Sequence, residues 1–101
     1  MVSADTLAAA LVGRQVRTYL SRDARIARVE REVVVLAGDD GARVALADLQ
    51  AGLDQLDLAG EVAVTIDALG PRATYVAAML VEVEGAAYRD APARVTLAGS
   101  G

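Results

Sequence analysis

Arg72, Thr74 and Tyr75 follow the break Gly70-Pro71, so polar side chains sit where one segment stops and the next begins. Pro suits the first position of a helix, and the free backbone N–H groups of a helix start add to a guanidinium in holding a phosphate or a base edge. These three are the first candidates for nucleic-acid contact. A second group lies upstream, where six Arg between Arg14 and Arg31 face only Asp23 and Glu30. Arg14 and Arg17 head that stretch, and Arg89 and Arg94 near the C-terminal end would extend it. The structural reading of the same residues puts Tyr75 in the core, pairs Arg72 with a carboxylate such as Asp67, and leaves the other arginines on solvated strand faces.

Other chemistries are closed by residue type. The chain has no His and no Cys, which removes imidazole bases, thiol nucleophiles, zinc cages and iron-sulfur ligation. Asp39 and Asp40 lie between Gly38 and Gly41 without the ligand spacing or distal Glu of a calcium loop, so they read as a hairpin turn. No G-x-S-x-G, Walker loop or G-x-G-x-x-G is present. The expectation is a protein that is not an enzyme and takes no metal or cofactor. With Tyr19, Tyr75 and Tyr88 as the only aromatics, there is no stacking platform for single-stranded nucleic acid.

Charge is divided along the chain. All ten basic residues are Arg, against fourteen Asp and Glu, for a net charge of −4. From Ala47 onward three Arg face eight acidic residues, a half that DNA would repel. That division suits self-association as well, with a basic face meeting an acidic one. Ala73, Ala77 and Ala78 form a small-residue helix face that permits close helix approach, and are the candidate interface of a homodimer. No apolar run approaches a membrane span, and the opening residues lack a positively charged leader, so no membrane partner and a cytoplasmic location are expected.

The elements that position these residues follow from periodicity. Ser3 reads as an N-cap for a helix from Ala4 to Val12, stopped at Gly13. From Gln15 to Leu46 β-formers dominate, in three or four antiparallel strands. A competing helical reading exists, because Arg22, Arg25, Arg28 and Arg31 recur every three residues with Ile26, Val29 and Val33 opposite. The stiff run Val33-Val34-Val35 favours strands. Ala47 to Leu58 is an amphipathic helix closed by Gly60, Glu61 to Ile66 a short strand, and Asp67 to Leu69 one helical turn. Arg72 to Val83 forms the last helix, ended by Gly85, and the segments at Ala87-Tyr88 and Arg94 to Leu97 flank a hairpin turn. The fold class is α+β: one domain over 1–101, with an N-terminal helix, a small antiparallel sheet, and a winged-helix-like half of helix, strand, helix and hairpin.

The stretch from Leu69 to Leu80, Gly85-Ala86 and Pro92-Ala93-Arg94-Val95-Thr96-Leu97 resembles the N-terminal domain of actinobacterial restriction endonucleases of the HNH type, including modification-dependent ones. In that family a Gly, an aromatic or His, an Arg-Ser pair and an Ala-Phe-Val run open the last helix, and a Pro-Arg-Val-x-Leu strand follows it. Upstream, Leu11 to Thr18 and Val44 to Leu56 are similar to the family's other marks, so the resemblance covers nearly the whole chain. Here Pro71 replaces the aromatic, Ala73 replaces the Ser, Glu84 stands where a Pro is usual, and the Trp of the middle helix is missing. The resemblance implies a non-catalytic accessory module of DNA restriction. Its partners would be double-stranded DNA and a nuclease domain or partner chain; the alternative is a protein-interaction or homodimerisation module without nucleic-acid binding.

Overall fold

A computed structural model describes residues 3–18, 22–37, 42–90 and 92–97. The Gly38 to Gly41 turn, Tyr19 and Leu20 lie outside the described residues. In helix α1 (Ala4–Leu11), Ser3 Oγ accepts from Thr6 N at 3.3 Å, and Ala4, Leu7, Ala8 and Leu11 turn inward. Four strands follow: β1 (Gln15–Arg17), β2 (Asp23–Glu30), β3 (Val33–Ala37) and β4 (Arg43–Ala45). They pair antiparallel in chain order, one neighbour after the next. Val16, Ala24, Ile26, Val34, Leu36 and Val44 form the buried face of this sheet.

The register between β2 and β3 shifts between Ile26 and Arg28, leaving Ala27 as the extra residue of a bulge. The bulge explains the central three-residue interval, Arg25 to Arg28, of the spacing that mimics a helix; Arg22 and Arg31 lie just outside the two ends of β2. Strand residues two apart share a face, but across an inserted residue the interval becomes three, so Arg25 and Arg28 both point outward while Ile26 and Val29 point inward. The region is thus strand throughout, with Arg31 and Glu32 as the two-residue turn into β3.

The second half comprises α2 (Leu46–Ala59), β5 (Glu61–Ala63), α3 (Ile66–Leu69), α4 (Ala73–Leu80), β6 (Ala86–Arg89) and β7 (Arg94–Leu97). Gly60 caps α2 in the left-handed conformation at φ 76°, as the sequence leads one to expect. Strands pair in the order β5-β7-β6, so the strand between the helices joins the C-terminal hairpin. The fold is α+β, with an N-terminal helix, a four-stranded antiparallel sheet and a second sheet of three strands.

Several boundaries differ from the sequence reading, and three of them have an identifiable local cause or consequence. β5 stops at Ala63 because the Thr65 hydroxyl accepts from Ala68 N at 3.2 Å and turns the chain into α3, leaving Ile66 exposed. Helix α4 starts at Ala73 with Arg72 as its N-cap, so Pro71 lies before the helix. It ends at Leu80, since β-branched Val81 and Val83 and the acidic Glu82 and Glu84 suit a helix C-terminus poorly.

Helix α4 packs against α1, α2, α3, β1 and β7. Ala73, Val76, Ala77, Ala78, Met79 and Leu80 are all buried. The alanine face expected to meet another copy is therefore spent inside the protomer. Gly52 in α2 makes part of that packing fit: a Cβ there would lie 2.8 Å from Leu80 Cδ1 and 2.9 Å from Leu69 Cδ2. Where α3 passes to α4, Gly70 has φ 84° and ψ −174°, a region essentially reserved for glycine.

Two stability changes follow. A Cβ on Gly70 would lie 2.5 Å from Asp48 Oδ2, so Gly70→Ala must swing the Asp48 carboxylate aside as well as hold an unfavourable backbone conformation. Urea denaturation should show a loss of about 1–3 kcal/mol, set by the backbone. Arg31 is the one non-glycine at positive φ among the described residues, at 43°. Arg31→Gly should raise stability by about 1 kcal/mol, whereas a lowered midpoint would mean the turn carries no such strain.

Candidate functional site

Alternation in β1 and β4, together with the bulge in β2, collects Arg17, Arg25, Arg28 and Arg43 on the solvent face of the first sheet. Arg28 and Arg43 flank Val35 in register, one strand on either side. Val35 is only 6 % exposed although it lies on this outer face and outside the main core cluster. Neighbouring arginine stems on such a face cover apolar surface while their guanidinium groups stay in water.

Two carboxylates share the face. Arg17 Nε donates to Asp23 Oδ1 at 3.0 Å, which raises the already high pKa of the guanidinium. Glu30 bridges two strands: Arg28 Nε donates to its Oε1, and Arg43 Nη1 to its Oε2 at 3.3 Å. The hydrogen bond from Arg28 is the main cause holding the Glu30 carboxyl below its ordinary range. All these groups are open to solvent, so the pairs orient side chains more than they stabilise the fold. Arg25 makes no ion pair among the described residues. Four arginines against two carboxylates leave the face positive.

At the rim of the face, the Tyr88 hydroxyl in β6 donates to the Arg17 carbonyl at 2.8 Å. Thr18 N donates to Arg22 O and Ile26 N to Arg14 O, so by alternation the Arg17 carbonyl points to the free edge of β1. Tyr88 thus ties the second sheet to the edge of the first. Burial, reinforced by Glu82, pushes the phenol well above the ordinary tyrosine range, so it remains a hydrogen-bond donor.

The residues singled out from the sequence disperse. Arg14 and Arg17 are exposed at the start and end of the β1 segment. Arg72 is exposed at the N-cap of α4, with no side-chain capping bond and no pairing with Asp67. Thr74 and Tyr75 are half-buried, and Tyr75 packs against the core. Arg94 Nη1 donates to the carbonyls of Asp90 and Pro92 at 3.2 and 2.9 Å, bracing its own hairpin, and Arg89 is its cross-strand partner. Of the three candidates near Gly70-Pro71 only Arg72 is exposed, because α4 is enclosed by α2, α3 and β7 on one side and by α1 and β1 on the other. Arg25, Arg28 and Arg43 join Arg17 instead; strand alternation would have found Arg43, but the bulge hides the relation of Arg25 to Arg28.

No cluster of three or more metal-ligating residues occurs among the described residues. None of their helices is long and apolar enough to cross a membrane. Comparison with protein-family models, curated proteins and solved structures finds no match.

The Glu30 bridge has a pH signature. Its carboxyl is more acidic in the folded protein, so pairing favours the fold above the unfolded pKa and is lost as pH falls through the folded one. Carbon-detected NMR titration should give Glu30 a midpoint below that of an ordinary glutamate. In Arg28→Gln the midpoint should rise; an unchanged value would remove Arg28 as the cause.

Proposed function

We propose that the chain is a non-catalytic accessory module of a DNA restriction system, which holds duplex DNA by its phosphates on the arginine face of the first sheet. The observation that carries this reading is the convergence of Arg17, Arg25, Arg28 and Arg43 on one exposed face. The resemblance to restriction-endonuclease N-terminal domains supplies the DNA context. A buried α4 argues for positioning on the backbone rather than reading of bases, since phosphate contacts orient a protein without carrying sequence information.

A second reading is a protein-interaction or homodimerisation module. It is favoured by the separation of charge, with the arginine face on the N-terminal sheet and an acidic excess from Ala47 onward. Steering between unlike surfaces of two copies would follow from that arrangement. Light scattering across concentrations separates the readings, because DNA binding by a monomer requires no self-association.

Fluorescence anisotropy of labelled duplex DNA tests the first reading directly. If two to four phosphates are neutralised, raising salt from about 50 to about 200 mM should weaken binding roughly ten- to hundredfold. Arg25→Ala should lower the salt slope by about one, while Arg94→Ala should leave it unchanged. No saturable binding at low salt would overturn the proposal.

A further inference from the structure

The second sheet has an edge, on β5, that pairs with no other strand among the described residues. Val64 N donates to Ala93 O, and Leu97 N donates to Gly60 O. With Val62 opposite Val95 in register, the bonded pairs of β5 and β7 fall at Gly60, Val62 and Val64. The N–H and C=O groups of Glu61 and Ala63 therefore point away from β7, and no hydrogen bond engages them among the described residues.

That edge opens into a groove of about 720 Å³ between α2, β5 and α3. Its walls include Ala51, Ala59, Ala63 and Ala68, small side chains that leave room beside the strand. Next in sequence to its lining residues Ala59, Thr65 and Asp67 are two large apolar residues left in water, Leu58 at 85 % exposure and Ile66 at 70 %. Glu61 and Asp67 line the groove and no arginine does, although Arg94 Nε in β7 approaches Glu61 Oε2 at 4.0 Å, so Asp67 is the acid there without an ion pair among the described residues.

We infer that this groove binds an extended peptide carrying apolar and basic side chains, which adds a strand to the open edge of β5. Backbone bonding to Glu61 and Ala63 supplies the pairing, and apolar side chains cover the alanine walls beside Leu58 and Ile66. The basic residues face Glu61 and Asp67. A second copy of the chain does not fit as well, because pairing β5 with itself across a twofold would bring the same acids together. The site is separate from the arginine face, so failure of DNA binding leaves this inference standing.

The test uses a capped heptapeptide of alternating Val and Arg, with its Val and Glu counterpart as control, titrated into the isotopically labelled protein. The Arg peptide should shift the amides of Ala51–Ala59 and Glu61–Asp67, and slow hydrogen exchange at Glu61 and Ala63. The Glu peptide should bind at least about tenfold more weakly. Ala63→Pro removes an edge N–H that makes no ladder bond, so it should abolish binding with the circular dichroism spectrum retained. Should that variant fail to fold, Glu61→Arg provides the second arm and should narrow or invert the preference between the two peptides. The inference is overturned by no shift at about 1 mM peptide, by shifts confined to the arginine face, by equal binding of both peptides, or by concentration-dependent dimerisation through β5.

Discussion

Burial of α4 is the constraint on which the rest of the structure depends. Six of its eight residues are buried, and it touches elements from both halves of the chain. Alanines at positions 73, 77 and 78 let neighbouring elements come close, while Val76, Met79 and Leu80 fill the space between them. On the opposite side of the contact, Gly52 leaves room for Leu69 and Leu80. A helix in this position holds the two sheets in one core and has no exposed flank with which to enter a DNA groove. Element order and strand pairing in the second half therefore do not by themselves carry a DNA-reading role.

Much of the fold was legible because local rules and tertiary packing agree. Ser3 caps α1, Gly60 ends α2 in the left-handed conformation, and the apolar stripes of both helices face inward. Legibility fails where one residue changes a period or a side chain redirects the backbone. Ala27 turns a strand interval of two into three, making Arg25 and Arg28 look like residues on one helical face. Thr65 converts the end of an apparently alternating strand into a helix start, and Ile66 is turned from an expected core position into water. Hydrophobic spacing alone contains neither event.

The candidate site was less legible for a related reason. Arg72 occupies the exposed helix start anticipated from Gly70-Pro71, but local presentation does not decide what the following helix packs against. Arg94 shows the opposite limitation: its charge is visible in the sequence, whereas its donation to the Asp90 and Pro92 carbonyls depends on how the hairpin folds. Arg17, Arg25, Arg28 and Arg43 come from three strands, and their common face depends on pairing register as well as residue type. Charge counting located the stretch from Arg14 to Arg31; strand register shows that Arg17, Arg25 and Arg28 of that stretch share a face with Arg43, which lies outside it.

The two sheets also differ in how they manage their edges. Tyr88 occupies an edge carbonyl of β1 and ties it to the second sheet, whereas in β5 the backbone groups of Glu61 and Ala63 meet no partner among the described residues and lie beside a groove. An unpaired edge risks indiscriminate strand association, and acidic side chains restrain association with like-charged edges. Glu61 and Asp67 supply such a restraint while leaving a complementary basic segment acceptable. The same charges that oppose self-pairing therefore give the open edge its selectivity, and they do so away from the arginine face of the first sheet.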